Sequence, residues 1–195
     1  MDKTDKSLID AHLQGDSEAF GELVRRYGDS LLGYLTKICR NREQAKDLFQ
    51  ETFRKVHEKA HTLKSSHFKS WLYTIATRVA MDSLRRSGRV RMVSINSRAG
   101  CDGDNCPELG AALAEEAHDP SHEAVVAEQR EQVRRALESL PERQRVTVVL
   151  AYYQGLSYRE VAAALNCSIG TVKTQMFRAL RTLSQRLPDV SGVAK

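Results

Sequence analysis

Apolar residues recur at intervals of three and four along nearly the whole of this chain, and the period-two alternation of a half-buried strand is missing. That spacing lines up one face of a helix, so the expected fold class is all-α. Asp16 is a suitable N-cap for a helix from Ser17, with Phe20, Leu23, Val24, Tyr27, Leu31, Leu35 and Ile38 as its stripe. A second helix is expected from about Arg42 to His61, burying Ala45, Leu48 or Phe49, Thr52, Phe53, Val56 and Ala60. A third runs from about His67 to Arg86 with Phe68, Trp71, Leu72, Ile75, Ala76 and Val79 inward, and Ser87-Gly88 stops it where a left-handed C-cap belongs. These helices make a first small domain, residues 1–88.

From Arg89 to about Pro120 the periodicity fades and Gly, Asp, Asn, Pro and Ser accumulate. Residues 89–125 read as a flexible acidic linker, with helicity resuming near Ser121, and residues 126–195 as a second helical domain. Pro141 restarts the chain at the first turn of a helix, where its missing N–H costs nothing, and that helix ends at Gly155.

Charge follows the same division. The 30 Lys and Arg exceed the 25 Asp and Glu only slightly, and +5 names no partner by itself. Its distribution is more telling. Between Lys64 and Arg98 lie eight basic residues and one acid, whereas between Cys101 and Glu128 lie eight acids and no Lys or Arg. Such blocks suit a protein that meets a polyanion at defined places. With no long apolar span and no apolar run near the N-terminus, the expected location is the cytoplasm. Structural disulfides among Cys39, Cys101, Cys106 and Cys167 are then not expected.

The most informative stretch is Gly155 to Leu187. Ser157 and Glu160 form a capping box opening a short helix that buries Val161, Ala162 and Leu165. Asn166, Cys167 and Ser168 leave a three-residue turn, and Ser168 caps a helix with Ile169, Val172, Met176, Leu180, Leu183 and Leu187 inside. Two helices so joined are a helix-turn-helix. The second helix of that motif enters the DNA major groove, which here presents Gly170, Thr171, Lys173, Thr174, Gln175 and Arg178. From Ser168 to Leu187 there are four basic residues and no acid, as phosphate contacts require. The plainer alternative is a helical hairpin with a solvated basic face.

The chain resembles the sigma-70 family, in its minimal extracytoplasmic-function (ECF) branch. The resemblance rests on DLFQETFRKVHEKA at Asp47–Ala60, FKSWLYTIATRVAMDSLRR at Phe68–Arg86 and LPERQRVTVVLAYYQGLSYREVAAALNCSIGTVKTQMFRALRTL at Leu140–Leu183. It implies a transcription initiation factor, not an enzyme, that binds bacterial core RNA polymerase at the β′ clamp helices and the β subunit and directs it to promoter DNA. It implies polymerase contact by Asp47, Gln50 and Glu51, and -10 reading and opening by Lys69, Tyr73, Thr74, Thr77, Arg78, Arg85 and Arg86, with Tyr73, Thr74 and Thr77 facing outward. Opening needs cations on the separated strand and pockets for unstacked bases. Many relatives carry Asn where this chain has Arg78. The segment Leu63 to His67 resembles the loop that captures a flipped base, and the helix-turn-helix resembles the -35 reader. An anti-sigma partner is implied; a small-molecule substrate and a cofactor are not.

Two further readings stay open. Cys101-x4-Cys106-x11-His118-x3-His122 falls one residue short of zinc-finger spacing, against an acidic, Ala-rich spacer that happens to hold these residues. A helix-turn-helix regulator acting alone would also carry the C-terminal motif, but no ligand pocket, receiver or dimerisation helix accompanies it. No Gly-rich phosphate loop, HExxH or nucleophile motif suggests catalysis.

Overall fold

Thr4, Asp16, Asn41, Ser157 and Ser168 each accept a backbone N–H at a helix start, so local chemistry sets most of the element boundaries. The structure is a computed structural model and describes residues 3–63, 67–86 and 120–187, with side chains from residue 128 in the last stretch. The described helices are α1 (Asp5–Leu13), α2 (Ser17–Cys39), α3 (Arg42–Lys59), α4 (Phe68–Arg86), α5 (Pro120–Ser139), α6 (Glu142–Val148), α7 (Tyr158–Leu165) and α8 (Ile169–Arg186). No strand occurs among the described residues. A 3₁₀ turn, Ala60–Thr62, extends α3, and a π-helical turn, Val149–Tyr153, extends α6 to Tyr153, two residues before Gly155.

α1 was not expected. It carries only Leu8 and Ile9 as buried residues, too few for a periodic signal. Tertiary contacts hold it instead: the Tyr27 hydroxyl donates to Asp5, and Arg26 reaches Asp5 Oδ1 at 2.6 Å and the Lys3 carbonyl at 3.0 Å.

α2 and α3 meet at a sharp corner. Arg40 sits in the left-handed region (φ 57°), and the Asn41 side chain caps α3 by accepting from Gln44 N–H. Leu23, Leu31, Leu35 and Val56 are fully buried between these helices and α4. Burying each such side chain contributes roughly 1.5–3 kcal/mol.

α4 is buried on more than one face. Besides the expected Phe68, Leu72, Ile75, Ala76 and Val79, it buries Tyr73, Thr77, Ala80 and Leu84. A helix apolar around most of its girth is a central one, and α4 packs against α2, α3 and α7. The expectation that Tyr73 and Thr77 face outward is therefore corrected. Tyr73 hydroxyl pairs with Ser30 Oγ at 2.9 Å, and Tyr34 hydroxyl with Thr77 Oγ1 at 2.7 Å, so both polar atoms are satisfied inside the helical core.

The C-terminal helices enclose a second apolar cluster of Leu137, Leu140, Val148, Met176 and Ala179. The first cluster does not stop at the N-terminal helices. It continues through Val149, Leu150, Val161 and Val172, so the two helical groups share buried surface.

Candidate nucleic-acid interface

α7 and α8 carry the local signals that the motif requires. Ser157 Oγ accepts from Glu160 N–H while the Glu160 carboxylate accepts from Ser157 N–H at 2.8 Å, which completes the capping box. These bonds to Ser157, with help from the Ser70 hydroxyl, hold the Glu160 carboxyl below its ordinary range. Asn166 takes the left-handed conformation that ends α7 (φ 51°), a region where Asn is tolerated, and Ser168 Oγ accepts from Thr171 N–H at 3.0 Å.

On α8, Gly170 and Lys173 are exposed, while Thr171, Thr174 and Arg178 are partly exposed. Thr171 and Ser168 share a hydroxyl hydrogen bond of 2.9 Å, and Thr174 bonds back to the Gly170 carbonyl at 2.9 Å. Gln175 is a correction: only 8% of it is exposed, because it stands three residues after Val172 and four before Ala179, on the face turned inward. Ile169 moves the other way. Expected inside, it is 42% exposed. The sequence reading also missed Phe177, 57% exposed on the same helix as Lys173 and Arg178. An aromatic two turns into an otherwise cationic helix face was the signal available for it.

α4 presents Lys69, Arg78, Arg85 and Arg86 to solvent, with Thr74 partly covered and bonded to the Ser70 carbonyl. Arg85 also meets Asp82 at 3.2 Å. Phe68 is fully buried and Trp71 partly, so both serve packing. Of the expected flipped-base loop, residues 64–66 lie outside the described residues.

The outward face of α3 carries Asp47 and Gln50, both exposed, and the partly exposed Glu51. Glu51 is held by Arg54 at 2.7 Å and Lys55 at 3.3 Å, and Arg54 also binds Glu58. The Arg54 hydrogen bond, ahead of Lys55, brings the Glu51 carboxyl down to about 2, so this face keeps its ionised pattern.

Cys101, Cys106, His118 and the side chain of His122 lie outside the described residues, and so does the acidic stretch before Pro120. Among the described residues no group of three or more His, Cys, Asp or Glu is placed to hold a metal, and no helix is long and apolar enough to cross a membrane.

Two family models match the chain: Sigma-70 region 2 over residues 23–90, and Sigma-70 region 4 over residues 130–183. The class is thus that of sigma-70 proteins, with α7 and all but the last three residues of α8 inside the region 4 match and α3 and α4 inside region 2. The chain is 32% identical over 194 residues to the ECF RNA polymerase sigma factor SigE of Mycolicibacterium smegmatis, covering 97% of this chain and 70% of that one. It is 34% identical over 185 residues to the ECF RNA polymerase sigma-E factor of Salmonella typhimurium, covering 94% of each. The fold resembles that of the sigma factor RpoE, solved in complex with the anti-sigma factor NepR from Bartonella quintana. The TM-score is 0.62 at 23% identity, over 87% of this chain and 97% of that one. The chain belongs to the ECF RNA polymerase sigma factors.

Proposed function

We propose that this chain binds core RNA polymerase, carries it to promoters by reading the -35 element with α8, and reads and opens the -10 element with α4. The observation that carries this is the presence, in one chain, of a helix-turn-helix with a one-sided cationic reader and of a second helical unit matching region 2. Residues 1–88 act as the polymerase-binding and -10 domain, 89–125 as the linker, and 126–195 as the -35 domain.

In α8, Lys173 and Arg178 supply the phosphate and base-edge contacts, and Thr171, Thr174 and the backbone at Gly170 the short hydrogen bonds. Phe177 joins them as an apolar contact of the kind that thymine methyl groups accept. In α4 the assignment narrows to Lys69, Thr74, Arg78, Arg85 and Arg86, since Tyr73 and Thr77 are inside. Asp47, Gln50 and Glu51 dock on polymerase, where a fixed mixed-charge face gives orientation more than raw affinity. The site of action is the cytoplasm, the role is that of an initiation factor and not an enzyme, and an anti-sigma factor is the expected inhibitor, as in the RpoE–NepR complex.

Run-off transcription over a genomic promoter library, with purified core polymerase plus and minus this protein, tests the reading. Promoter-specific transcripts that depend on the protein are expected. Sequence-specific DNA binding by the protein alone, without transcripts, would replace it with a stand-alone regulator.

A further inference from the structure

α1 is tied down at both ends, and the tie at its C-terminal end is a pair of histidines. At the start of the helix Asp5 binds Tyr27 and Arg26. At the end the chain turns back sharply: Gly15 N–H donates to the His12 carbonyl and Asp16 N–H to the Ala11 carbonyl, both at 3.0 Å. Gly15 takes a positive φ of 99° there, a conformation that a side chain would strain. The turn sets the His12 ring between α2 and α3, with its Nε2 3.1 Å from Nδ1 of His57.

Neighbouring groups fix both rings. Phe20 of α2 lies against His12 with ring centroids 4.6 Å apart and meets His57 edge-on at 5.7 Å, and Phe53 braces Phe20 from the other side of the cluster at 6.1 Å. The Asp16 backbone carbonyl accepts a hydrogen bond from the His12 ring. Since Nε2 faces His57, that bond falls to Nδ1, which keeps the proton there and leaves a lone pair on Nε2. A carbonyl on the far nitrogen is the usual partner that orients a metal-ligating histidine.

The spacing of the facing nitrogens fits a shared ion. With Zn–N bonds of ~2.0–2.1 Å, two ligand nitrogens stand about 2.9 Å apart at a right angle and about 3.3 Å apart at the tetrahedral angle, and the observed 3.1 Å falls between them. In the free protein a proton on His57 Nδ1 bridges the pair. An ion takes that place when the proton moves to His57 Nε2, and His57 is exposed enough to exchange it with water. His12 is partly exposed as well, so an ion has a way in and water to complete its shell. Among the described residues no third His, Cys, Asp or Glu joins the pair. Two imidazoles and water suit a transition-metal ion such as Zn²⁺, Ni²⁺ or Cu²⁺, and not Mg²⁺ or Ca²⁺, which take oxygen ligands.

We propose that His12 Nε2 and His57 Nδ1 form a two-histidine site for an exchangeable divalent transition-metal ion, which clamps the end of α1 onto α3. The site stands apart from the polymerase reading and from the Cys and His residues of the linker. Its ligands are 45 residues apart in the chain, so the ion binds only while α1 is docked, and binding stabilises that docked state.

Zinc titration calorimetry on the full chain carrying Cys101→Ser and Cys106→Ser, which removes the linker thiols, tests the site. One equivalent of zinc is expected. Its affinity should fall about tenfold or more in His57→Ala and likewise in His12→Ala, and hold in His61→Ala, a neighbouring exposed histidine. Mg²⁺ should give no heat. His57 is exposed, so its replacement spares the core, and zinc should raise the melting midpoint of the parent by several degrees but not that of His57→Ala. Electron paramagnetic resonance of the copper form gives a second readout: coupling to two imidazole nitrogens in the parent, and to one in either single variant. No zinc uptake, uptake that survives His57→Ala or His12→Ala, or a copper signal from fewer than two histidine nitrogens in the parent overturns the site, whatever promoter-dependent transcription shows.

Discussion

α8 and α4 are the two helices assigned to DNA, and they are built differently. α8 buries one narrow face, Val172, Gln175, Met176 and Ala179, and leaves the opposite side free for Lys173, Phe177 and Arg178. α4 is buried on several faces and keeps its exposed cations at Lys69, Arg78 and the last turn. A reader of the first kind can change its DNA-facing residues without disturbing the fold. One of the second kind is part of the core, so most of its positions serve folding, and few are left to meet DNA.

The largest expected effect probes that difference directly. Leu72→Ala in α4 should destabilise the protein by about 2–5 kcal/mol in urea unfolding, because it empties a fully buried site, while Arg78→Ala on the same helix should stay within about 0.5 kcal/mol. Similar losses at both positions would break the comparison. Next in size, Arg178→Ala should weaken binding to -35 DNA by about 1–3 kcal/mol in fluorescence anisotropy, with an unfolding midpoint close to that of the parent. A large fall in stability would mean that α8 is as structural as α4.

Ser157→Ala should cost about 1 kcal/mol of stability in thermal melts, since it removes the acceptor for Glu160 N–H at the start of α7. The smallest effect concerns pH. The Glu160 carboxyl titrates below its ordinary 4.5 in the folded protein, so the stabilisation it gives is present above that value and fades as pH falls below it. Glu160→Gln should flatten this part of the decline when melts at pH 6 and pH 4 are compared. An unchanged decline would show that the capping box is not its source.

Much of the site was readable in the chain. The capping box and the three-residue turn are closed by residues three apart in the chain, Ser157 with Glu160 and Ser168 with Thr171, and the structure holds them as the spacing implied. Gln175 was misjudged although the helical period places it with Val172 and Ala179, so that information was present and overlooked. Phe177 lay in plain view but departed from the polar composition expected of a reader. The short α1 had too few apolar residues for periodicity to register.

The helices, most of their caps, the helix-turn-helix and the distribution of charge follow from the sequence, because each depends on residues close together in the chain. Packing between distant segments decided the rest: that Tyr73 and Thr77 turn inward, that α1 is tied to α2 through Asp5, and that α7 comes to rest on α4. A periodic stripe tells which face of one helix prefers burial but not how many partners will cover it. α4 has partners from both ends of the chain, and their arrival fixed which of its polar atoms face water and which face each other.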